Sequence, residues 1–296
     1  MLTKFDLSSY LREQKGLVDR ELERALDGDI PEPLRASIRY SLLSGGKRLR
    51  PILCLAAYTA HDERPEVAFP TAVALEMLHT ATLIHDDLPA MDNDDFRRGR
   101  PTNHKVFGEG VAVLAGDALL AYSLEYVLTR TEAPPHRLLR VVNTLLHAIG
   151  VHGAIGGQVI DIQNTDRADV DLPTLESMDA RKTGALLVAA LATGAVLADA
   201  DEETIARLGR YGEKIGLAFQ IVDDILDVTS TLDELGKTPH KDDRANKATF
   251  PRLLGLQESR RRAEALVESA KQEVDVLGKG AIPLFAIADY VCSRSN

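Results

Sequence analysis

Apolar residues in this chain recur at three- and four-residue intervals and do not alternate, a period that commits the backbone to helices. Ala263, Leu266, Val267, Ala270, Val274 and Leu277 fall on one stripe near the C-terminus. Leu7, Leu11, Val18, Leu22 and Ala25 form another near the N-terminus, after which Pro31 and Pro33 punctuate the entry to a further helix. The same period predicts long helices over 67–85, 111–129, 138–162, 182–197 and 202–228. No stretch reads as a hairpin or a half-buried strand. The expected fold class is all-α, with residues 1–296 in one domain.

A chain of 296 residues buries roughly three-quarters of its extended surface, so a core needs no covalent staples. The two cysteines, Cys54 and Cys292, have no CxxC spacing, which fits a reducing, cytoplasmic setting. With 35 basic against 45 acidic residues, the net charge of −10 disfavours nucleic acid as a partner. The start, Met1-Leu2-Thr3-Lys4-Phe5-Asp6, lacks the pattern of a secretory signal. The most apolar stretch, 184–198, is Ala- and Gly-rich and too short to cross a bilayer, so it is expected to be a close-packed core helix and no transmembrane segment is expected.

Two aspartate clusters stand out. The first, His85-Asp86-Asp87-Leu88-Pro89-Ala90-Met91-Asp92, ends an apolar helical run, and like charges this close need a cation. On an unbroken helix Asp86 and Asp92 would point about 120° apart, so they converge only if the backbone deviates, as Pro89 allows. The second, Asp223-Asp224-Ile225-Leu226-Asp227, follows Phe219-Gln220-Ile221-Val222, and Asp223 and Asp227 lie within about 40° of each other. Each cluster alone fits a solvated acidic surface. Together, in an all-helical chain and without His or Cys ligands, they favour a hard oxygen-binding ion such as Mg²⁺ and a phosphorylated ligand.

Compact basic groups supply the matching positive charge: Gly45-Gly46-Lys47-Arg48-Leu49-Arg50-Pro51 and Arg97-Arg98-Gly99-Arg100-Pro101. The first is not a P-loop, since the leading glycine and the trailing Ser or Thr are missing. Lys182-Thr183-Gly184 opens the Ala-rich helix, while Lys237 and Lys247 lie in the polar interruption 229–249, a functional loop containing Gly236 and Pro239. His79 precedes Asp86 by two turns and shares its face. That placement suits a structural histidine as well as a ligand.

In this order, the basic Gly45–Pro51 run, Leu78-His79-Thr80, the first aspartate motif with Arg97-Arg98-Gly99 behind it, Gly156-Gly157-Gln158, Lys182-Thr183-Gly184 and Phe219-Gln220-x2-Asp223-Asp224-x2-Asp227 resemble the trans-prenyl diphosphate synthases. The resemblance covers nearly the whole chain. It implies a helical bundle around a central cavity, isopentenyl and allylic prenyl diphosphates as substrates, about three Mg²⁺ ions and a homodimer. It implies metal binding by Asp86, Asp87, Asp92, Asp223, Asp224 and Asp227. Arg97, Lys182, Lys237 and Lys247 would bind the allylic diphosphate, and Lys47, Arg50, His79 and Arg98 the isopentenyl diphosphate. Lys182, Thr183 and Gln220 would flank the allylic cation.

Side chains one or two turns before Asp86 should line the growing tail, which makes Leu78, Ala81 and Thr82 the chain-length candidates. Farnesyl-forming bacterial relatives carry an aromatic residue at the position of Ala81. Its absence, with the 92–109 stretch, resembles plant and cyanobacterial geranylgeranyl synthases. The alternatives are a farnesyl diphosphate synthase, a floor set deeper by Leu78, His152 or Ile155, an HD-type metal-dependent phosphohydrolase, and a non-catalytic helical subunit.

Overall fold

A computed structural model describes residues 5–165, 167, 169–229 and 248–293. The helices, numbered in chain order, are α1 (Leu7–Ala25), α2 (Glu32–Leu42), α3 (Leu49–Thr59), α4 (Phe69–Asp86), α5 (Asn103–Phe107), α6 (Glu109–Arg130), α7 (Pro135–Ile149), α8 (Ala154–Asn164), α9 (Leu172–Asp179), α10 (Ala185–Leu197), α11 (Glu202–Thr229), α12 (Phe250–Leu254), α13 (Leu256–Val274) and α14 (Ile282–Ser293). A five-residue π-helical turn, Ala180–Gly184, joins α9 to α10. The expected all-α class holds, and the stripes read on α1 and α13 are buried at Val18, Leu22, Ala263, Val267 and Ala270.

Apolar on every face, α10 can bury its whole surface only at the centre of the bundle. It packs against α3, α4, α7 and α11. The approach is close because glycine stands at the crossings. A Cβ on Gly194 would sit 2.2 Å from the Cys54 carbonyl oxygen of α3, and one on Gly216 of α11 would sit 3.1 Å from Gly184 Cα. Seven residues after Gly216, two turns along the same face, comes Asp223, so this crossing aims the second aspartate cluster toward the π-turn.

Two expectations change. The helix read over 138–162 is two helices, interrupted at Gly150–Gly153. Gly153 is in a conformation where a Cβ would fall 1.9 Å from the Ala148 carbonyl oxygen, so glycine permits a corner that apolar periodicity does not reveal. A two-residue antiparallel ladder, β1 (Phe96–Arg97) with β2 (Arg100–Pro101), also appears where no strand was expected. Arg98 and Gly99, at φ 55° and 73°, form its tight turn, since left-handed residues match the twist of a two-residue hairpin.

By length and composition alone, four helical stretches among the described residues suit a membrane crossing: Glu109–Arg130, Pro135–Asn164, Leu172–Leu197 and Leu256–Ser293. The third contains the apolar stretch read as a core helix, and 61% of its most apolar window is buried inside the protein.

Candidate active site

The first aspartate wall is made where α4 stops. Instead of continuing the helix through Pro89, the chain folds back so that Asp92 N donates to Asp86 O at 2.8 Å and Asp94 N to Asp87 O at 3.2 Å. Asn93, at φ 51°, takes the left-handed conformation the turn requires. The deviation expected from Pro89 is present and brings Asp92 beside Asp86. Asp87 turns the other way: Arg97 Nε reaches its two oxygens at 2.8 and 3.0 Å and Arg97 Nη2 lies 2.6 Å from Oδ1. This bidentate pair fixes Arg97 at the start of the hairpin.

The second wall lies on the last turns of α11. Asp224 is buried and held, accepting from Phe250 N at 3.0 Å and from Gln220 Nε2 at 3.2 Å. Asp227 is buried too, while Asp223 is half-buried and lines a cavity. Thr183 Oγ1 donates to Gln220 Oε1 at 3.4 Å, bridging the π-turn and α11.

A third wall carries the cations, and a residue with no assigned role organises it. Arg48, left-handed at φ 53° and with its side chain 1% exposed, caps the entry to α3. It donates to Glu76 Oε1 at 2.6 Å, Asp19 Oδ1 at 2.8 Å and Leu42 O at 2.9 Å. This clamp ties the Gly45–Arg50 loop to α4 one turn before His79. Arg98, across from it, donates to the Gly45 carbonyl and to Ser44 Oγ at 3.3 Å.

Two cavities meet here. One, of about 440 Å³, has Asp86 and Lys182 among its lining and a body of apolar side chains including Ala81, Leu120, Ile149 and Leu186. The other, of about 600 Å³, is lined by Lys47, Arg98, Gln220 and Asp223 among others. Arg50, His79 and Thr183 line both. The structure therefore gathers Lys47, Arg50, His79, Arg98, Lys182, Thr183, Gln220, Asp86 and Asp223 around one junction. Ala81 and Thr82 line the first cavity, as does Ile155. Leu78 is fully buried in the core and is not among the lining residues, nor is His152. Lys237 and Lys247 lie outside the described residues.

Burial pushes the Asp86 carboxyl up to about 6, with Asp92 adding to it and Lys182 opposing. Burial likewise lowers Arg50 to about 10, and it drives the His79 imidazole well below its ordinary value, reinforced by Arg50 and Arg98. His79 is thus a neutral group among guanidiniums. Burial disfavours the Lys182 ammonium, but Asp161 and Asp86 outweigh it and hold its pKa above the ordinary lysine value.

The donors fit a hard divalent cation. Asp86, Asp92 and Asp223 offer only carboxylate oxygens, crowded by like charge at the first wall. Among the described residues no three His, Cys, Asp or Glu side chains form a metal cage by themselves. Mg²⁺ does not need one, because it takes one or two carboxylates and completes its shell with phosphate oxygens and water.

Reading the sequence residue by residue missed Glu76 and Asp161, and took Arg48 as one of an anion-facing basic run where the structure buries it against Glu76. Asp161 was visible as a lone acid among Val159, Ile160 and Ile162, three residues after Gln158. Glu76 likewise interrupts the apolar face of α4 one turn before His79.

Similarity to known proteins identifies the family. The polyprenyl synthetase family profile matches residues 31–281. A dimethylallyltranstransferase of Fischerella ambigua is 52% identical over 293 residues, spanning 99% of this chain and 85% of that protein. A geranylgeranyl diphosphate synthase of Cyanophora paradoxa is 49% identical over 295 residues, spanning 99% and 98%. Among solved structures, an FPP/GFPP synthase from Zymomonas mobilis superposes with a TM-score of 0.87 at 38% identity, covering 97% of this chain and 98% of that one. Divalent-metal dependence accompanies that family, and this chain belongs to it: it is a polyprenyl synthetase.

Proposed function

We propose that the chain is a prenyltransferase, a short-chain trans-prenyl diphosphate synthase that joins isopentenyl diphosphate to an allylic diphosphate by ionisation, condensation and proton loss, releasing diphosphate and making geranylgeranyl diphosphate. One observation carries this reading: a cation-lined cavity and an apolar cavity with an acidic mouth share Arg50, His79 and Thr183. Two charged heads can be held apart while their hydrocarbon ends meet.

Asp86, Asp92 and Asp223 would hold Mg²⁺, about three ions by family resemblance, with Asp227 behind them. Asp87 and Asp224 act through the partners they fix, Arg97 and Phe250. Bound Mg²⁺ supplies Lewis-acid stabilisation of the charge that develops on the departing diphosphate. Arg97 and Lys182 present fixed positive charge to the same oxygens. Such preorganised charge favours the transition state because the leaving group becomes more negative as the C–O bond lengthens. Lys237 and Lys247 are assigned to this head by resemblance.

Lys47, Arg50, Arg98 and neutral His79 would hold the isopentenyl diphosphate. The Thr183 hydroxyl and Gln220 amide, linked at 3.4 Å, place dipoles near the allylic carbon without supplying a charged nucleophile. The apolar walls beyond them exclude water from the cation. Ala81 and Thr82 leave room for a long tail. The geranylgeranyl product also accords with the name of the Cyanophora relative.

The remaining expectations are a homodimer and a cytoplasmic protein with no membrane crossing. For the dimer, α6, α7 and α8 carry exposed Leu114, Leu139, Leu146 and Val159, an apolar surface suited to a second copy. The test is purified protein with Mg²⁺, labelled isopentenyl diphosphate and dimethylallyl, geranyl or farnesyl diphosphate, followed by product-length analysis. A twenty-carbon diphosphate is expected from wild type. Asp86→Ala and Asp223→Ala should each lower turnover by orders of magnitude. Free phosphate without condensation would replace this reading with a hydrolase.

A further inference from the structure

Gln158 is a polar side chain of this site whose amide is unpartnered at both ends among the described residues. It sits in the middle of α8, is 6% exposed, and faces the cavity of about 440 Å³ shared with Asp86, Lys182 and Thr183. Both ends of its amide, Oε1 and Nε2, are buried, and neither has a hydrogen-bond partner among the described residues. A buried amide with no partner costs stability, and an apolar side chain of the same shape would avoid that cost.

Its neighbours tie it to the residue that meets the allylic head. One position earlier, a Cβ on Gly157 would lie 2.4 Å from Lys182 N and 2.7 Å from Lys182 Cα, so α8 touches the π-turn backbone to backbone. Three positions later, Asp161 accepts from Lys182 Nζ at 2.5 Å. Gln158 is therefore bracketed by two contacts with Lys182, in a cavity lined by both charged and apolar side chains.

The prenyl tail has no polar atom to offer an amide, whereas the diphosphate has oxygens that only accept. We propose that Gln158 is a substrate-contacting residue whose Nε2 donates to the diphosphate of the allylic substrate, leaving the isopentenyl head to the cavity of Lys47 and Arg98. The proposal rests on the assignment of the allylic head to Asp86 and Lys182. It gives the Gly156-Gly157-Gln158 motif a role: glycine for close approach to Lys182, and glutamine for the ligand.

The test pairs Gln158→Met, which keeps the shape and removes both polar atoms, with Gln158→Glu, which keeps the shape and repels a diphosphate. For Gln158→Met the apo protein should melt at the same temperature as wild type or higher. The added stabilisation by Mg²⁺ with a thio-linked, non-ionising allylic diphosphate should shrink. Its kcat/KM for the allylic substrate should fall roughly ten- to a hundred-fold, the range for losing a hydrogen bond to a charged group, with KM for isopentenyl diphosphate unchanged. Gln158→Glu should lose more. A lower apo melting temperature with both substrates affected equally would make Gln158 structural and overturn the proposal, as would unchanged allylic kinetics in both variants. Condensation by wild type tests the assignment of the site, and the variant-to-wild-type ratio tests Gln158, so the two fail separately.

Discussion

Lys182 Nζ and Asp161 Oδ2 stand 2.5 Å apart, joining the π-turn before α10 to α8. The Asp161 side chain is 8% exposed and that of Lys182 25%, so the pair works in a poorly solvated place where charge interactions are strong. Asp161 does two things for Lys182: it fixes the ammonium beside Asp86, and with Asp86 it offsets the burial that would discharge it. Asp161→Asn should therefore raise KM for the allylic substrate and lower kcat, together by about tenfold in kcat/KM, the cost of about 1.4 kcal/mol. The KM for isopentenyl diphosphate should hold. With its main counter-charge gone, Lys182 loses its proton at lower pH, so the alkaline limb of the rate profile should move down. A profile and allylic KM like those of wild type would remove Asp161 from this role.

Arg48 and Glu76 make a different kind of pair, with both side chains nearly sealed from solvent at 1% and 3% exposure. Removing Arg48 leaves Glu76 buried and uncompensated, which costs about 3–5 kcal/mol, whereas removing Glu76 leaves Arg48 still paired with Asp19 at 2.8 Å and costs less. In urea unfolding Arg48→Met should lose stability on that scale and Glu76→Gln a smaller part of it, because Asp19 remains beside Arg48. Glu76→Met combined with Arg48→Met should recover part of it, because no lone buried charge remains. Every variant should also weaken isopentenyl diphosphate more than the allylic substrate, since the clamp holds the loop bearing Lys47 and Arg50. Single variants within about 1 kcal/mol of wild type would place the pair among exposed ion pairs, whose contributions are that small.

The helical class and most helix limits were legible because burial repeats with the period of the helix itself: α11, expected over 202–228, spans Glu202–Thr229. The break at Gly150–Gly153 was not, because apolar residues continue on both sides and only the close approach of Gly153 to the Ala148 carbonyl requires the corner. Within the site, aspartates and basic runs announce themselves by local density. Arg48–Glu76 and Lys182–Asp161 join positions 28 and 21 residues apart, and such pairs follow from helix packing, which spacing along the chain does not encode. Leu78 shows the converse. Its place two turns before Asp86 suggested the cavity, but the phase of α4 turns it into the core.

His79 should leave a mark on the pH dependence of stability. Burial and the guanidiniums of Arg50, Arg98, Arg97 and Arg48 hold its folded-state pKa well below 6.5, with Glu76 facing the same arginines. Below about pH 6.5 the unfolded chain takes up a proton that the folded one refuses, so stability is present above that pH and is lost as pH falls. The slope for one such group is at most about 1.4 kcal/mol per pH unit. Urea unfolding at pH 7.5, 6.5 and 5.5 should show His79→Gln losing less stability on acidification than wild type. Parallel losses would mean that His79 titrates normally in the folded protein.

Ala81 and Leu78 offer the sharpest contrast on product length. Ala81 is fully buried yet lines the cavity of about 440 Å³, so a larger side chain there can extend into empty space. Leu78 is equally buried but packed into the core, where enlargement forces neighbours aside at a cost of about 1–3 kcal/mol. Ala81→Phe should keep a melting temperature close to that of wild type and shift the product from twenty carbons toward fifteen. Leu78→Phe should lower the melting temperature and leave the product spectrum as it was. Chromatography of the dephosphorylated products, read beside thermal melts, separates these outcomes. If Ala81→Phe still yields the wild-type spectrum, the tail does not pass that side chain, and the limit on its growth belongs to deeper lining residues such as Ile149 or Ile155.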